Sequence, residues 1–297
     1  MQKFDSFWIG RLLLFWGACV NFTADGRAQE ADPRNQAKIR DHVTFLSTFD
    51  ETTSADIAQG DGRLFTAENR RGLDNATPGL QDPDVVIAKG RGLIGDALEF
   101  KKKKRLITFY MAEKNVVYST TAWSGSLSFW LQLDPARDLE PGYCDPIQIT
   151  DSAYNDAAIW VDFTKDNPRD FRLGIIGDLK SWNPDNTPPD DNPAFEQRLI
   201  TVPHPPFART KWTHVLINFS GLNSDRGKSE FYIDGTLRGS LDVQDPFTWD
   251  EGKARILLGL NYIGLLDEIA IFDRPLNEGE VDALYRAKGG IIRPADE

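Results

Sequence analysis

Three segments of the chain, 124–134, 159–163 and 171–175, alternate apolar residues with aromatic or polar ones. If the apolar residues face a core, the opposite face carries Trp130, Gln132, Trp160, Asp162 and Arg172. Three further candidates stand near the ends of these segments: Gln148, Asp178 and Trp182. Indole rings stack on the C–H faces of sugars, while amides and charged groups hydrogen-bond to hydroxyl groups. These eight residues predict a sugar-binding face; the alternative is that the long loops cover the aromatics, which then only extend the core.

The sequence carries no familiar catalytic or metal-binding pattern. The histidines His42, His204 and His214 are isolated from one another and lack the spacing of metal ligands. No Gly-rich phosphate loop follows a strand, and there is no Gly-x-Ser-x-Gly nucleophile elbow. The consecutive basic residues Lys101–Arg105 have two interpretations, a solvated turn or a contact for an acidic glycan.

The elements that would position these residues are mostly β-strands. Alternation with period two also marks Val43–Phe49 as a strand. The pair Asp234-Gly235 predicts a hairpin turn, because Gly adopts a positive φ without steric cost. One helix is predicted near the C-terminus, where Asn277 and Glu280 have the spacing of a capping box. A single helix on a strand-rich chain predicts a sandwich of sheets.

Two long loop segments, which we call the excursions and expect to be insertions, interrupt the strands. Residues 51–95 are rich in Gly, Asp and Arg. Residues 183–206 contain seven prolines, which exclude a central strand because each proline removes a donor from the ladder. Loops of this length inside a compact domain are commonly functional or mobile.

The order of several segments resembles the laminin G-like, concanavalin A-like jelly roll. These segments are FDE (49–51), GDALEF (95–100), SGSLSFWLQLD (124–134), KWTHVLINFSG (211–221), FYIDGTLRGSL (231–241) and ILLGLNYIGLLDEIAIFDRPLNEGEVDALY (256–285). The last is the most specific, with its Gly-rich strand, Asp-Glu pair, Arg-x-Leu turn and small helix ending in Leu-Tyr. The resemblance implies an all-β fold of two antiparallel sheets, one concave and one convex, packed face to face.

This architecture includes lectins, adhesion modules and glycan-cleaving enzymes, so the fold alone does not select a function. Laminarinase-type members carry Glu-x-Asp-x-x-Glu, or a form one residue shorter, on one strand. No such string occurs here, which disfavours a glycoside hydrolase or lyase. Many members also hold a structural calcium ion that ties the first strand to the last. Asp50 and Asp267 occupy the corresponding places, with the alternative that Asp267 caps a turn.

Composition limits the partners. The chain has 34 Lys+Arg against 45 Asp+Glu, a formal net charge of −11. This acidity argues against nucleic acid as a partner, because phosphate binding requires clustered basic residues. A content of 40% hydrophobic and 11% aromatic residues excludes intrinsic disorder.

The first 28 residues have the features of a signal peptide. The apolar run LLLFWGACV (12–20) has the length of a signal-peptide core and is too short to span a membrane. Gly26-Arg27-Ala28 offers a cleavage site after Ala28. Lipid anchoring at Cys19 is the alternative, disfavoured because Trp16 stands where a small aliphatic residue is needed. We expect a protein that is secreted, periplasmic or at the cell surface, with no membrane span in its mature form.

These observations predict a signal peptide (1–28), a lead-in (29–42), one jelly-roll domain with a short C-terminal helix (43–287) and a tail (288–297). The expected function is a non-catalytic, lectin-like module that binds a polysaccharide or glycoconjugate on its concave sheet. No cofactor is required, and calcium is the one ion considered. The alternatives are a structural or adhesive protein with a cell-surface protein as partner and, less favoured, a glycan-cleaving enzyme.

Overall fold

The computed structural model describes residues 39–103, 106–288 and 290–293. Backbone contacts divide the chain into Met1–Glu30 and Ala31–Glu297, and every described residue belongs to the second unit. The predicted signal peptide, the Cys19 alternative, most of the lead-in and the last four residues of the tail lie outside the described residues. No described helix has the length and apolar character needed to cross a membrane.

The described part of the chain folds into short strands and a few short helices. In chain order the strands are β1 (Val43–Ser47), β2 (Ile57–Ala58), β3 (Phe65–Ala67), β4 (Thr77–Pro78), β5 (Val85–Ala88), β6 (Ala97–Phe100), β7 (Ile107–Met111), β8 (Trp123–Gln132), β9 (Cys144–Ala153), β10 (Asp156–Phe163), β11 (Phe171–Ile176), β12 (Leu199–Val202), β13 (Thr213–Leu222), β14 (Lys228–Ile233), β15 (Thr236–Asp242), β16 (Arg255–Leu260) and β17 (Gly264–Phe272). The α-helices are α1 (Pro135–Asp138), α2 (Leu179–Trp182), α3 (Pro193–Glu196) and α4 (Glu278–Arg286), and the 3-10 helices are Arg70–Asn75, Pro189–Asp191 and Gly290–Ile292.

These strands form two antiparallel sheets. The first sheet has the order β15-β14-β13-β8-β17-β1-β2, and β6 pairs with both β17 and β5. The second sheet has the order β12-β11-β10-β9-β16-β7-β3-β4. Consecutive strands form the meanders β15-β14-β13 and β12-β11-β10-β9, whereas the central pairs β13-β8, β8-β17 and β9-β16 join strands that are distant in the chain. The prediction of an all-β, two-sheet jelly-roll sandwich is confirmed.

The core lies between the two sheets, where the alternating segments place their apolar residues. Leu127 and Phe129 of β8 join Ile159 and Val161 of β10 in one buried cluster. The opposite residues of each strand point to the outer faces of the sandwich, since successive side chains of a strand alternate in direction. The period-two alternation therefore identified correctly which residues of these strands face the core.

Helix α4 begins with the capping box that the sequence predicts. The Asn277 side chain accepts a hydrogen bond from the Glu280 backbone N–H at 3.0 Å, and Glu280 Oε2 accepts one from the Asn277 N–H at 2.9 Å. Val281 and Leu284 are buried beneath the helix. They pack against the outer face of the first sheet, beside Leu216 and Ala270.

The two excursions contain more regular structure than expected. Residues 51–95 include the short strands β2 to β5 and the 3-10 helix Arg70–Asn75. Residues 183–206 contain helix α3 and strand β12, which is the edge strand beside β11. An edge position tolerates the neighbouring prolines, because one side of the strand needs no donors.

Candidate functional site

A cavity of about 770 Å³ opens on the outer face of the second sheet. Its volume falls within the range typical of small-ligand sites. Strands β9, β10 and β11 form its floor, and both excursions supply walls: Glu68–Arg70 on one side, Pro189 and Phe195 on another. Leu260, the last residue of β16, and Asn261, which follows it, complete the rim. We call this space the outer-face cavity.

A buried ion pair lies in the floor of the outer-face cavity. Asp162 and Arg172 face each other across β10 and β11. The guanidinium donates two hydrogen bonds to the carboxylate, from Nε at 2.8 Å and from Nη2 at 2.6 Å. It also lies 5.0 Å from the ring centre of Tyr143 and 5.8 Å from that of Trp160. Burial raises the pKa of the Asp162 carboxyl, and the bonds from Arg172 oppose that rise.

Trp160 forms an inner wall of the cavity. Its indole N–H donates to the Tyr154 carbonyl oxygen at 2.7 Å, and its ring stacks on Phe195 with ring centres 6.2 Å apart. Gly174 lies opposite Trp160 in the neighbouring strand, where the absence of a side chain leaves room for the indole. Trp160 is only 2% exposed. The aromatic ring that solvent reaches at this wall is Tyr154, which is 42% exposed.

Three further polar residues, Arg70, Gln148 and Asp145, line the cavity. Arg70, an exposed residue at the edge of the cavity, donates from Nη2 to Gln148 Oε1 at 2.9 Å. Gln148 is fully buried, and its Nε2 has no acceptor among the described residues. Burial, followed by the neighbouring Asp162 charge, holds the pKa of the Asp145 carboxyl well above its usual range. The cavity therefore presents donors, acceptors and aromatic surface to one ligand.

The structure brings four of the eight predicted site residues together. Gln148, Trp160, Asp162 and Arg172 all line the outer-face cavity. Asp178 and Trp182 do not line it. Asp178 instead accepts hydrogen bonds from the backbone and side chain of Thr248. Trp182 packs behind Trp160 in a buried cluster, and its indole donates to the Asn155 carbonyl oxygen.

The prediction that Trp130 and Gln132 share this face is wrong. Both belong to β8, which lies in the first sheet, whereas Trp160 belongs to the second. Trp130 is 3% exposed and stacks on Tyr285 of α4, with ring centres 5.9 Å apart. Helix α4 covers this face, so Trp130 lies in the contact between the helix and the first sheet. The alternation fixed the direction of each side chain relative to the core but not the sheet to which its strand belongs.

The carboxylate oxygens of the two residues predicted for calcium, Asp50 and Asp267, already have partners within the protein. The Asp50 carboxylate accepts a hydrogen bond from Arg293 Nη1 at 2.5 Å, and the same guanidinium donates from Nε to Glu268 at 2.7 Å. Burial and the Glu268 charge raise the pKa of Asp267 to about 9. Both Asp267 carboxylate oxygens accept backbone hydrogen bonds, Oδ2 from the Leu93 N–H at 2.7 Å and Oδ1 from the Glu268 N–H at 2.8 Å. Among the described residues, no group of three or more His, Cys, Asp or Glu side chains is arranged to hold a metal.

Sequence reasoning missed several residues of the cavity. Arg70 comes from the first excursion. Tyr143 precedes β9, Asp145 is its second residue, and Tyr154 follows it. The length of the first excursion pointed towards Arg70 alone, because long loops in compact domains commonly carry function. Nothing in the local pattern distinguishes these residues from other loop residues.

We expect Gly174→Ala to disrupt the inner wall. A Cβ at this position would lie 2.3 Å from two atoms of the Trp160 ring, so the packed indole must move. Overpacking of this kind costs about 1–3 kcal/mol in the free energy of unfolding. The measurement is chemical denaturation followed by tryptophan fluorescence.

The matched control is Gly72→Ala, because a Cβ at Gly72 would meet no atom within 4 Å. The control should unfold at the wild-type denaturant concentration or slightly above it. Equal stability of the two variants would contradict the close packing of Trp160 on Gly174.

Comparison with known proteins places this geometry in context. A laminin G family model, described as the concanavalin A-like lectin/glucanases superfamily, matches residues 112–282. No protein of curated function matches the chain by sequence.

Solved structures similar to this chain share its fold at low sequence identity. Domain 4 of AbnA, a GH43 extracellular arabinanase from Geobacillus stearothermophilus solved with arabinotriose, is 17% identical with a TM-score of 0.50, covering 82% of this chain and 98% of that one. The binding domain of botulinum neurotoxin DC in complex with SialylT is 14% identical with a TM-score of 0.54, over 84% of this chain and 52% of that one. The same binding domain with rat synaptotagmin II is 13% identical with a TM-score of 0.54, again over 84% and 52%. The chain thus spans about half the length of these neurotoxin domains.

Proposed function

The chain belongs to the concanavalin A-like lectin/glucanase superfamily, and from that premise we propose that it is an exported, non-catalytic module that binds a glycan in the outer-face cavity. The observation that carries the proposal is the composition of this cavity. It combines an exposed aromatic ring, Tyr154, with the buried amide of Gln148 and the side chains of Asp145 and Asn261. Sugars require both kinds of surface, since their C–H faces are apolar and their hydroxyl groups need hydrogen-bonding partners.

Two similar structures contain saccharides, which is consistent with the proposal. The arabinanase domain was solved with arabinotriose, and the neurotoxin binding domain with SialylT. At 14–17% identity these likenesses show a shared fold only, so the argument for this chain rests on its own cavity.

The test is binding to a panel of neutral and charged polysaccharides, measured by affinity electrophoresis. We expect Tyr154→Ala to weaken binding at least about tenfold, because the loss of a central aromatic contact commonly costs 1.4 kcal/mol or more. The ring is 42% exposed, so its removal should leave the fold intact, and circular dichroism checks this.

The control is Tyr285→Ala, which removes an aromatic ring from the outer face of the first sheet, where Tyr285 stacks on Trp130. We expect its affinity to stay within about twofold of wild type, since residues outside a binding site contribute little to the affinity. Loss of binding in Tyr285→Ala with intact binding in Tyr154→Ala would move the site to the first sheet. Failure of every polysaccharide to bind would favour a protein partner instead.

One observation favours glycan cleavage as a second candidate function. Asp145 and Asp162 line the same cavity, and burial raises the pKa of both carboxyl groups. A carboxyl whose pKa is raised by burial is a candidate for general acid catalysis. Release of reducing ends from the same panel by the wild-type protein, and its loss in both Asp145→Asn and Asp162→Asn, would establish cleavage. Binding without product release would leave the protein a binding module.

A further inference from the structure

Arg70 differs from the other arginine of the outer-face cavity in its partner. The charge of Arg172 is paired with the Asp162 carboxylate through two hydrogen bonds. Arg70 instead donates to the neutral amide oxygen of Gln148 at 2.9 Å. Among the described residues, no carboxylate oxygen lies within ion-pair distance of Arg70. The cavity therefore holds one guanidinium whose charge no carboxylate neutralises by direct contact.

Gln148 supplies a second unused donor at the same place. Because Oε1 accepts the bond from Arg70, the amide orientation is fixed and Nε2 is the free end. Nε2 is buried and has no acceptor among the described residues. A buried donor without a partner is costly, at about 1–3 kcal/mol, and a ligand acceptor would remove that cost. Arg70 and Gln148 together thus form a seat for a group that only accepts hydrogen bonds.

Asp145, the nearby carboxyl group, does not neutralise the positive charge of Arg70 by a direct ion pair. It lines the cavity, and its charge is near enough to interact with that of Arg70. However, burial holds the pKa of its carboxyl well above the usual range, with Arg70 and Arg172 opposing the rise only in part. The group therefore retains its proton to higher pH than an exposed aspartate. Asp145 differs in this respect from Asp162, which forms a direct ion pair.

Lys103, one of the consecutive basic residues that begin at Lys101, also borders the cavity. Lys103 Nζ donates to the Pro141 carbonyl oxygen at 2.8 Å, two residues before the lining residue Tyr143. The lining residues Leu106 and Ile107 follow the run directly. Lys101 and Lys102 are exposed, and Lys102 Nζ lies 3.5 Å from the Asp84 carboxylate.

We infer that the outer-face cavity takes an anionic glycan, with a carboxylate or sulfate group seated on Arg70 and Gln148. This inference deepens the proposed function and rests on it. Guanidinium groups bind carboxylate and sulfate through paired, charge-assisted hydrogen bonds. The chain as a whole has a net charge of −11, but charges farther away than the Debye length of about 8 Å are largely screened at physiological salt. The charges that line the cavity therefore dominate. Glu68 and Asp145 oppose an anion there, while Arg70 is the lining cation without an ion-pair partner among the described residues.

The test compares polymers that differ only in charge. Polygalacturonate is paired with its fully methyl-esterified form, and dextran sulfate with dextran, in affinity electrophoresis at low salt. We expect at least one charged polymer to bind about tenfold or more tightly than its neutral counterpart, since hydrogen bonds to charged groups exceed neutral ones by roughly this factor. The pair that responds identifies carboxylate or sulfate as the recognised group.

Arg70→Gln and Arg71→Gln form a matched pair of variants. Both remove one positive charge from the same 3-10 helix, and both residues are exposed. Only Arg70 lines the cavity. We expect Arg70→Gln to lose about tenfold in affinity for the charged polymer and Arg71→Gln to stay within about twofold of wild type. Arg70→Lys should recover part of the loss, because it restores the charge without the planar donor pair.

Two results would overturn the inference and leave the proposed function standing. The first is equal binding of the charged and neutral polymers, with both lost in Tyr154→Ala. The second is an equal loss in Arg70→Gln and Arg71→Gln, which would indicate attraction by overall charge. If no polymer binds at all, the inference and the proposed function fail together.

Discussion

Replacing Arg172 with methionine is expected to lower the free energy of unfolding by about 3–5 kcal/mol at pH 8. The substitution leaves the Asp162 carboxylate buried in the cavity floor without its two hydrogen bonds from Arg172. An uncompensated buried charge is the main cost, because its hydration was already lost on folding. We expect glycan binding to be lost as well, since Arg172 and Asp162 both line the cavity.

The loss should depend on pH with a defined sign. Burial already raises the pKa of Asp162 in the wild-type protein, and removal of Arg172 raises it further. A carboxyl whose folded-state pKa is raised binds its proton more tightly in the folded state, so stability is lost as pH rises above the unfolded value of about 3.9. The destabilisation of Arg172→Met relative to wild type is therefore smaller at pH 4 than at pH 8. Urea denaturation at the two pH values measures this.

The double variant Asp162→Leu/Arg172→Met is the control. Replacing both members of a buried ion pair with apolar residues is often neutral or stabilising, so the double variant should recover most of the stability at pH 8. A double variant as unstable as Arg172→Met, or a loss that is equal at pH 4 and pH 8, would contradict the role assigned to the pair.

Arg293→Ala has the second-largest expected effect. Arg293 bonds to Asp50 at the end of β1, to Glu268 in β17 and, from Nη2, to the Ile94 carbonyl oxygen at 3.1 Å. It thus joins three parts of the chain at the place where the family resemblance implied a calcium ion. Loss of the guanidinium leaves the buried Glu268 unpaired and should cost about 3 kcal/mol. That corresponds to a fall in Tm of roughly 6–12 °C for a domain of this size.

Arg286→Ala is the matched control, because Arg286 forms an exposed pair with Asp282 four residues earlier. Exposed pairs of this kind contribute little to stability, so its Tm should stay close to that of wild type. We also expect calcium and EDTA to leave the wild-type Tm unchanged, since Arg293 already supplies the cation between Asp50 and Glu268. Equal Tm values for Arg293→Ala and Arg286→Ala, or a calcium-dependent wild-type Tm, would refute this account.

The sequence was sufficient to predict the fold class and the direction of many side chains. Alternation in β8 and β10 identified Leu127 and Ile159 as core residues, and both are buried. The capping box at Asn277 and Glu280 was also readable, because its two hydrogen bonds join residues three positions apart. These features depend on local geometry, which a short stretch of sequence determines.

The assignment of strands to sheets could not be read in the same way. Trp130 and Trp160 occupy equivalent outward positions on their strands, but the connection from β8 through α1 to β9 passes from the first sheet to the second. Long-range contacts were equally inaccessible. Arg70 bonds to Gln148 across 78 positions, and Arg293 bonds to Asp50 across 243. Such pairs are determined by the tertiary fold, so composition and spacing do not reveal them.

The central claim is that a glycan binds in the outer-face cavity of the second sheet. Amide hydrogen exchange with and without the tightest-binding polysaccharide of the panel tests it most directly, because protection reports where a ligand orders the backbone. The account predicts slower exchange in β9, β10 and the 3-10 helix Arg70–Asn75, with β13 and α4 unchanged. Protection confined to β13 and α4, or no change at saturating glycan, would contradict it.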